Sequence, residues 1–142
     1  MIYFLGVVCV FVLSFIATLH FYWAFGGKWG ISSVIPIKEN DVKAIHPKWF
    51  ATLIVALVIL GFSSLYAEKI ALVSLAFLPN SITNYGVLVI ASIFIIRAIG
   101  DFKYVGFFKQ IKTTLFAKND TNYFSPLCLF LGVIGYLLHF SL

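Results

Sequence analysis

The sequence predicts an all-α integral membrane protein that folds as a four-helix bundle. Hydrophobic residues make up 62% of its 142 residues, the mean hydropathy is +1.05, and only 11% of the residues are charged. A soluble domain carries about 25% charged residues. The charges are also clustered, which leaves charge-free stretches at 1–27, 49–67, 70–96 and 121–142. Because a helix needs roughly 20 apolar residues to cross a bilayer, each stretch is expected to hold one membrane helix.

The first helix is expected over about residues 2–25. Small residues gather on about a third of its helical circle, which favours close packing against another helix. These residues are Gly6, Ser14, Ala17, Thr18 and Ala24. No Lys or Arg precedes the apolar run, so a retained helix is expected and not a cleaved signal peptide. A glycine-rich turn then ends the helix.

The second and third helices are expected over about residues 49–66 and 82–99. Trp49 and Tyr66 lie near the two ends of the second helix, where interfacial aromatic residues are common. Residues 70–78 are too few to span a membrane. They are expected either to extend the second helix or to lie on the outer surface.

Residues 102–118 predict an amphipathic helix on the cytoplasmic surface, between the third and fourth membrane helices. At the helical period, five apolar side chains gather within about 100° of arc, and three lysines lie off that stripe. The apolar residues are Tyr104, Phe107, Phe108, Ile111 and Leu115, and the lysines are Lys103, Lys109 and Lys112. The fourth helix is expected over about 124–140, with Asp120 capping the segment that leads into it. Residues 1–142 are expected to form a single transmembrane domain.

The uneven distribution of Lys and Arg predicts the orientation in the membrane. Nine of the ten lie in segments 28–48 and 97–120, and Lys69 alone lies in the loop between them. Positive residues mark cytoplasmic loops, so loops 26–48 and 100–123 are predicted to be cytoplasmic and both termini to lie outside. The net charge of +5 is therefore interpreted as a topology signal, and no nucleic-acid partner is expected.

No metal or cofactor is predicted. His20 and His139 are expected near opposite ends of the bundle, His46 lies in a loop, and a metal site needs three or four close ligands. Cys9 and Cys128 are expected at different depths, too far apart for a disulfide, and are interpreted as small hydrophobic residues. No pattern assigns a catalytic residue, so enzyme activity stays open.

Arg97 and Asp101 form the strongest candidate for a ligand site. Residues four apart share a helix face, and Arg97 follows an apolar run at the predicted inner boundary of the membrane. Ionisable residues in that position are often functional. Asp101 is expected to neutralise Arg97 through hydrogen bonds. Two interpretations stay open: a structural ion pair with a snorkelling Arg, or a site for an anion or lipid headgroup.

A second candidate group lies at the end of the first helix. His20 is an ionisable residue within an apolar span, and Trp23 lies on the neighbouring face. The turn that follows lacks phosphate-loop spacing, yet its backbone N–H groups are candidates for contact with a lipid phosphate. Its residues are Gly26, Gly27, Lys28 and Trp29. The alternatives are a neutral imidazole bonded between helices, and a flexible helix exit anchored at the surface by Trp29.

Three segments are distinctive as a set. The first is 20–30, HFYWAFGGKWG; the second is 97–108, RAIGDFKYVGFF; the third combines Phe116-Ala117, Asp120-Thr121, Tyr123 and 125–129, SPLCL. Together they resemble an uncharacterised family of small bacterial four-helix membrane proteins. The resemblance implies four membrane helices in a bacterial cytoplasmic membrane, and it implies no particular activity.

Three functions are compatible with these observations. The leading hypothesis is recognition of a lipid or other anionic amphipathic ligand at the inner leaflet, with Arg97 and the glycine-rich turn at the charged head and His20 and Trp23 lining a pocket. The second is a structural or accessory subunit bound to a membrane-protein partner, which the packing faces favour. The third is a membrane-embedded enzyme acting on a lipid or isoprenoid, with His20 as acid or base oriented by Asp101.

Overall fold

The computed structural model describes residues 1–35 and 48–142, and this part of the chain is all-helical. Four of its helical segments are long and apolar enough to cross a membrane. These segments are Ile2–Ala24, Trp49–Lys69, Asn80–Ile99 and Leu115–Ser141. The prediction of an all-α fold with four membrane helices is thereby confirmed.

The helices in chain order are α1 (Ile2–Ala24), α2 (Ile31–Val34), α3 (Trp49–Lys69), α4 (Asn80–Ile99), α5 (Leu115–Asn119) and α6 (Ser125–Ser141). A π-helical turn, Asp120–Phe124, joins α5 to α6 without a break, so the last helical run begins at Leu115. Thr114 caps α5, because its hydroxyl accepts a hydrogen bond from the Ala117 N–H at 3.1 Å. The expectation that Asp120 caps this segment is wrong.

The bundle is built from two helix pairs. α1 packs against α3, and α4 packs against α6. Lipid tails are as apolar as the side chains, so membrane helices associate through close packing and interhelical hydrogen bonds. Each pair has such a bond: the hydroxyls of Ser14 and Ser63 lie 2.9 Å apart between α1 and α3, and those of Ser92 and Tyr136 lie 2.8 Å apart between α4 and α6.

Tyr66 joins the two pairs at the centre of the bundle. It is fully buried on α3, and its hydroxyl donates a hydrogen bond to the Leu131 carbonyl of α6 at 2.9 Å. Position 135 must be small for α6 to approach, because a Cβ there would overlap the Tyr66 hydroxyl and lie 2.8 Å from the Ala91 Cβ of α4. Gly135 therefore lets α3, α4 and α6 meet at one point.

Residues 70–79 do not extend α3, which ends at Lys69. Ala71 has a left-handed backbone conformation, with a φ of 56°, and its N–H bonds back to the Glu68 carbonyl at 2.8 Å. The Leu72 N–H bonds to the Ala67 carbonyl at the same distance. These two bonds end α3, and the chain reaches α4 through non-helical residues.

The predicted amphipathic helix over 102–118 is wrong. Residues 100–114, called the strap below, are non-helical, and only Leu115–Asn119 at the end of the segment is helical. Gly100, Phe102 and Gly106 have φ values of 92°, 62° and 89°, which a right-handed helix does not allow. The strap folds back on α4, where the Phe107 N–H donates to the Ala98 carbonyl at 2.9 Å.

We expect Gly135→Ala to destabilise the bundle by about 1–3 kcal/mol, because the added methyl group overpacks the contact with Tyr66. The cost should be smaller in a Tyr66→Phe background, which lacks the hydroxyl that this methyl group overlaps. Unfolding by SDS in mixed micelles, followed by tryptophan fluorescence, measures both costs. Gly61→Ala is the control, since nothing lies within 4 Å of a Cβ at that position. Equal costs in the two backgrounds would contradict the proposed packing.

Candidate functional site

Asp120 lies at the centre of a polar cluster between α4, the strap and the π-helical turn. Its side chain is 0% exposed, and four donors converge on its two carboxylate oxygens. Oδ1 accepts from Arg97 Nη2 at 2.9 Å, and Oδ2 accepts from the Gly106 backbone N–H at 2.8 Å. Oδ2 also accepts from Lys109 Nζ at 3.0 Å and from the Ser125 hydroxyl at 3.2 Å. A buried charge requires such pairing, and this carboxylate is fully provided with partners.

Lys109 is an almost completely buried cation, only 2% exposed. Its ammonium group donates to the Gly106 carbonyl at 2.9 Å, to Asp120 Oδ2 at 3.0 Å and to the Thr121 hydroxyl at 2.6 Å. An ammonium has three N–H donors, and all three are used. Lys109 therefore has no donor left for a ligand, and it lies inside the protein and not on the polar face of a surface helix, where the sequence predicts it.

Arg97 differs from Asp120 and Lys109, because most of its hydrogen-bonding groups have no partner within the described residues. Within the described residues it donates a single hydrogen bond, from Nη2 to Asp120, although a guanidinium has five N–H donors. Its Nη1 is buried and has no partner in the same part of the chain. The side chain remains 33% exposed. Arg97 is thus the accessible, incompletely satisfied member of this group.

We call Arg97, Lys109 and Asp120 the charged hub. Two cations face one carboxylate, so the formal charge of the hub is +1. Because Asp120 and Lys109 have used their hydrogen-bonding groups on each other and on their neighbours, the excess positive charge is available at Arg97. The planar guanidinium of an arginine with free donors can bind two oxygens of a carboxylate or phosphate at once.

The π-helical turn positions the acceptor side of the hub. In this turn the Ser125 N–H bonds to the Asp120 carbonyl, five residues back, where an α-helix would bond four residues back. Residues 120 and 125 consequently face the same direction, and the Ser125 hydroxyl reaches the Asp120 carboxylate. Single π-helical turns within α-helices are frequent at functional sites.

Asp101 does not pair with Arg97, and that prediction is wrong. Its Oδ1 instead accepts three backbone N–H groups of the strap, at 2.8–2.9 Å. Partial burial raises the pKa of Asp101, but these hydrogen bonds outweigh that effect and hold the pKa below its ordinary value. The donors belong to Lys103, Val105 and Tyr104. Asp101 is a structural residue that folds the strap.

Two glycines complete the strap. A Cβ on Gly106 would overlap the Ile99 carbonyl and the Gly100 Cα, and a Cβ on Gly100 would overlap the Val105 carbonyl. This close backbone contact brings the Gly106 N–H and carbonyl to Asp120 and Lys109. The strap thereby helps to bury the Asp120 carboxylate.

The glycine-rich turn after α1 is closed by its own hydrogen bonds. The Gly26 N–H donates to the Trp23 carbonyl at 3.1 Å, and the Gly27 N–H donates to the Tyr22 carbonyl at 2.9 Å. These N–H groups are therefore not directed at a ligand. Trp23 Nε1 donates to the Trp29 carbonyl at 2.8 Å. The turn presents the side chains of Lys28 and Trp29 outward, and Trp29 is 71% exposed.

His20 is engaged with its own helix. Its Nδ1 lies 2.8 Å from the Ile16 carbonyl, and its ring packs edge-on against Trp23 with centroids 5.1 Å apart. Across residues 1–35 and 48–142, no hydrogen bond or ion pair joins this group directly to the charged hub. The link is indirect: Asn119 Nδ2 donates to the Ser33 carbonyl at 3.3 Å and ties α2 to α5.

The residues with metal-binding chemistry are dispersed. In the part of the chain that the structure describes, no three side chains of His, Cys, Asp or Glu come together as a metal site. His46 lies outside the described residues. Cys9 and Cys128 are both free thiols.

The sequence interpretation missed Asp120, Lys109, Thr121 and Ser125 as members of the site. The sequence predicts a helix cap at Asp120 and a surface position for Lys109. Two of the four carry a sequence signal: Asp120 directly precedes a charge-free stretch, and Lys109 follows two phenylalanines. The partner of Arg97 was assigned by sequence proximity, whereas the true partner lies 23 residues away.

The chain matches a family model described as a protein of unknown function (DUF3995), over residues 13–135. No curated protein and no solved structure matches the chain. The matched region contains the whole charged hub and the glycine-rich turn.

We expect Asp120→Asn to destabilise the protein by about 3–5 kcal/mol, since it leaves buried cations without a counter-charge. Lys109→Met in the same chain removes one of those cations and should recover about 1–3 kcal/mol of that loss. Unfolding by SDS in mixed micelles measures the cycle. Lys112→Gln is the control, because Lys112 is exposed and donates no hydrogen bond to a described side chain. Additive costs would show that Asp120 and Lys109 are not coupled.

Proposed function

The chain belongs to the DUF3995 family, whose function is unknown, and we propose that it binds the anionic headgroup of a lipid or another anionic amphipathic ligand at the charged hub. The observation that carries this proposal is the unsatisfied guanidinium of Arg97, which is partly exposed and has a buried Nη1 without a partner among the described residues. A buried donor without an acceptor is costly. A ligand oxygen that meets the exposed part of the Arg97 side chain would accept from a guanidinium N–H and neutralise the excess charge of the hub.

The surroundings of Arg97 favour a ligand with an apolar tail. Ile93 lies four residues before Arg97 on the same face of α4, and both Ile93 and Ile96 are exposed. Arg97 lies in the last turn of this membrane helix, so these side chains lie on the side toward the bilayer centre. An acyl chain is the natural neighbour of such a surface, whereas a free inorganic anion would gain nothing from it.

The glycine-rich turn is proposed as the rim of the same binding face. Lys28 and Trp29 are exposed, and the Asn119–Ser33 hydrogen bond holds α2, which follows the turn, against α5. Lys28 supplies a second positive charge, and Trp29 is suited to the headgroup region. Trp23 supports the turn through its hydrogen bond to the Trp29 carbonyl, and His20 packs against the Trp23 ring.

We place the hub at the inner leaflet of a bacterial cytoplasmic membrane, with both termini outside. The nine-to-one distribution of positive residues supports this orientation. The contact between α2 and α5 supports the placement of both basic segments on the same side, because it joins one segment to the other.

The other two hypotheses have less in their favour. For an enzyme, His20 and Asp101 would need to act together, yet His20 is bonded to Ile16 and Asp101 to the strap backbone. For an accessory subunit, a membrane-protein partner would need a defined docking face, and the exposed residues of the four helices are the ordinary apolar ones of a lipid-facing surface.

We expect Arg97→Lys to weaken the binding of phosphatidylglycerol by about tenfold, or about 1.4 kcal/mol, because one ammonium can pair with Asp120 but retains no planar fork for the headgroup. Native mass spectrometry in a neutral detergent measures lipid occupancy. Lys112→Gln removes one exposed charge and is the matched control. Equal losses in the two variants would indicate non-specific surface attraction and contradict the proposal, as would displacement of the lipid by an equal concentration of inorganic phosphate.

The orientation has its own test. In a chain with Cys9→Ala and Cys128→Ala, a single cysteine at Lys112 should resist a membrane-impermeant maleimide in intact cells and react after the cells are opened. A single cysteine at Ser81 should react in intact cells, because Ser81 is exposed at the opposite end of α4. The reverse pattern would place the charged hub at the outer leaflet.

A further inference from the structure

We infer that Lys109, although too buried to touch a ligand, sets the affinity of the site for an anion. It neutralises Asp120, so that the positive charge of Arg97 remains available to the ligand. This inference rests on the proposed function and deepens it, since it assigns a positioning role to a residue of the same hub. Lys109 is 2% exposed, and its three donors are all occupied.

The two oxygens of Asp120 face different cations. Oδ2 faces Lys109, Gly106 and Ser125, whereas Oδ1 faces Arg97. With Lys109 present, the negative charge of Asp120 is balanced from the Oδ2 side. The positive charge of Arg97 is then in excess and attracts an anion.

Without Lys109, the same carboxylate has only one cation. The hub would fall from a formal charge of +1 to zero, because Arg97 and Asp120 would cancel each other. An incoming anionic headgroup would then meet a carboxylate that is no longer balanced by Lys109. In a site partly withdrawn from water, this repulsion is screened less than at an exposed surface.

Lys109 also has a structural role, since it anchors the Gly106 carbonyl and the Thr121 hydroxyl. Loss of binding in Lys109→Met alone would therefore not show whether the charge of Lys109 or its anchoring hydrogen bonds matter for binding. The two roles differ in how they respond to a second change at Asp120. Asp120→Asn removes the charge that Lys109 balances but does not restore the anchoring contacts of the lysine.

The experiment titrates phosphatidylglycerol against the full chain in a neutral detergent and measures occupancy by native mass spectrometry. We expect Lys109→Met to weaken binding by about tenfold, or about 1.4 kcal/mol, relative to the wild type. The double variant Lys109→Met/Asp120→Asn should bind about threefold or more tightly than Lys109→Met, because Arg97 again carries the only charge of the hub. Circular dichroism establishes that each variant is folded.

Each outcome decides a separate point. If the double variant binds as weakly as Lys109→Met, the lysine acts through its anchoring contacts, and the inference is overturned. If Lys109→Met binds like the wild type while Arg97→Lys loses binding, the inference fails and the proposed function stands. If Arg97→Lys binds like the wild type, the proposed function itself fails.

Discussion

A single buried carboxylate organises the polar end of this protein. Asp120 accepts hydrogen bonds from α4, from the strap and from the start of α6, and each donor reaches it for a different structural reason. Arg97 is delivered by the last turn of α4, Gly106 by a left-handed backbone, and Ser125 by a π-helical turn. The cost of burying an unpaired charge is large, so these elements cannot vary independently.

The membrane-spanning helices could be predicted because each one depends only on the residues of its own segment. Charges are excluded from the hydrocarbon core, so the gaps between them mark the helices. The contacts that join the helices were not predictable in the same way. The sequence predicts an interfacial position for Tyr66, yet this residue is fully buried and hydrogen-bonded to the backbone of α6. A hydrophobic stretch shows that a helix will form but carries little information on which helix it will meet.

The polar segment between α4 and α6 shows where periodicity misleads. Its apolar residues follow a helical period, but the backbone N–H groups that a helix would need are taken by the carboxylate of Asp101. A short acidic side chain competes well for nearby N–H groups, and glycines at positions 100 and 106 remove the steric barrier to that alternative. The charged hub was unpredictable for a related reason: Arg97 and Asp101 are neighbours in sequence, whereas Arg97 and Asp120 become neighbours only after the strap has folded.

The π-helical turn fixes the rotational phase between the two ends of the last membrane helix. It accommodates one residue more than an α-helical turn, so everything after it is rotated by about 100° relative to an uninterrupted helix. That rotation points Asp120 into the hub while Gly132 and Gly135 still face α4. Because of the additional residue, Asp120 and the two glycines lie on similar sides of one helix. In an uninterrupted α-helix, Asp120 would be rotated away from the face that packs against α4.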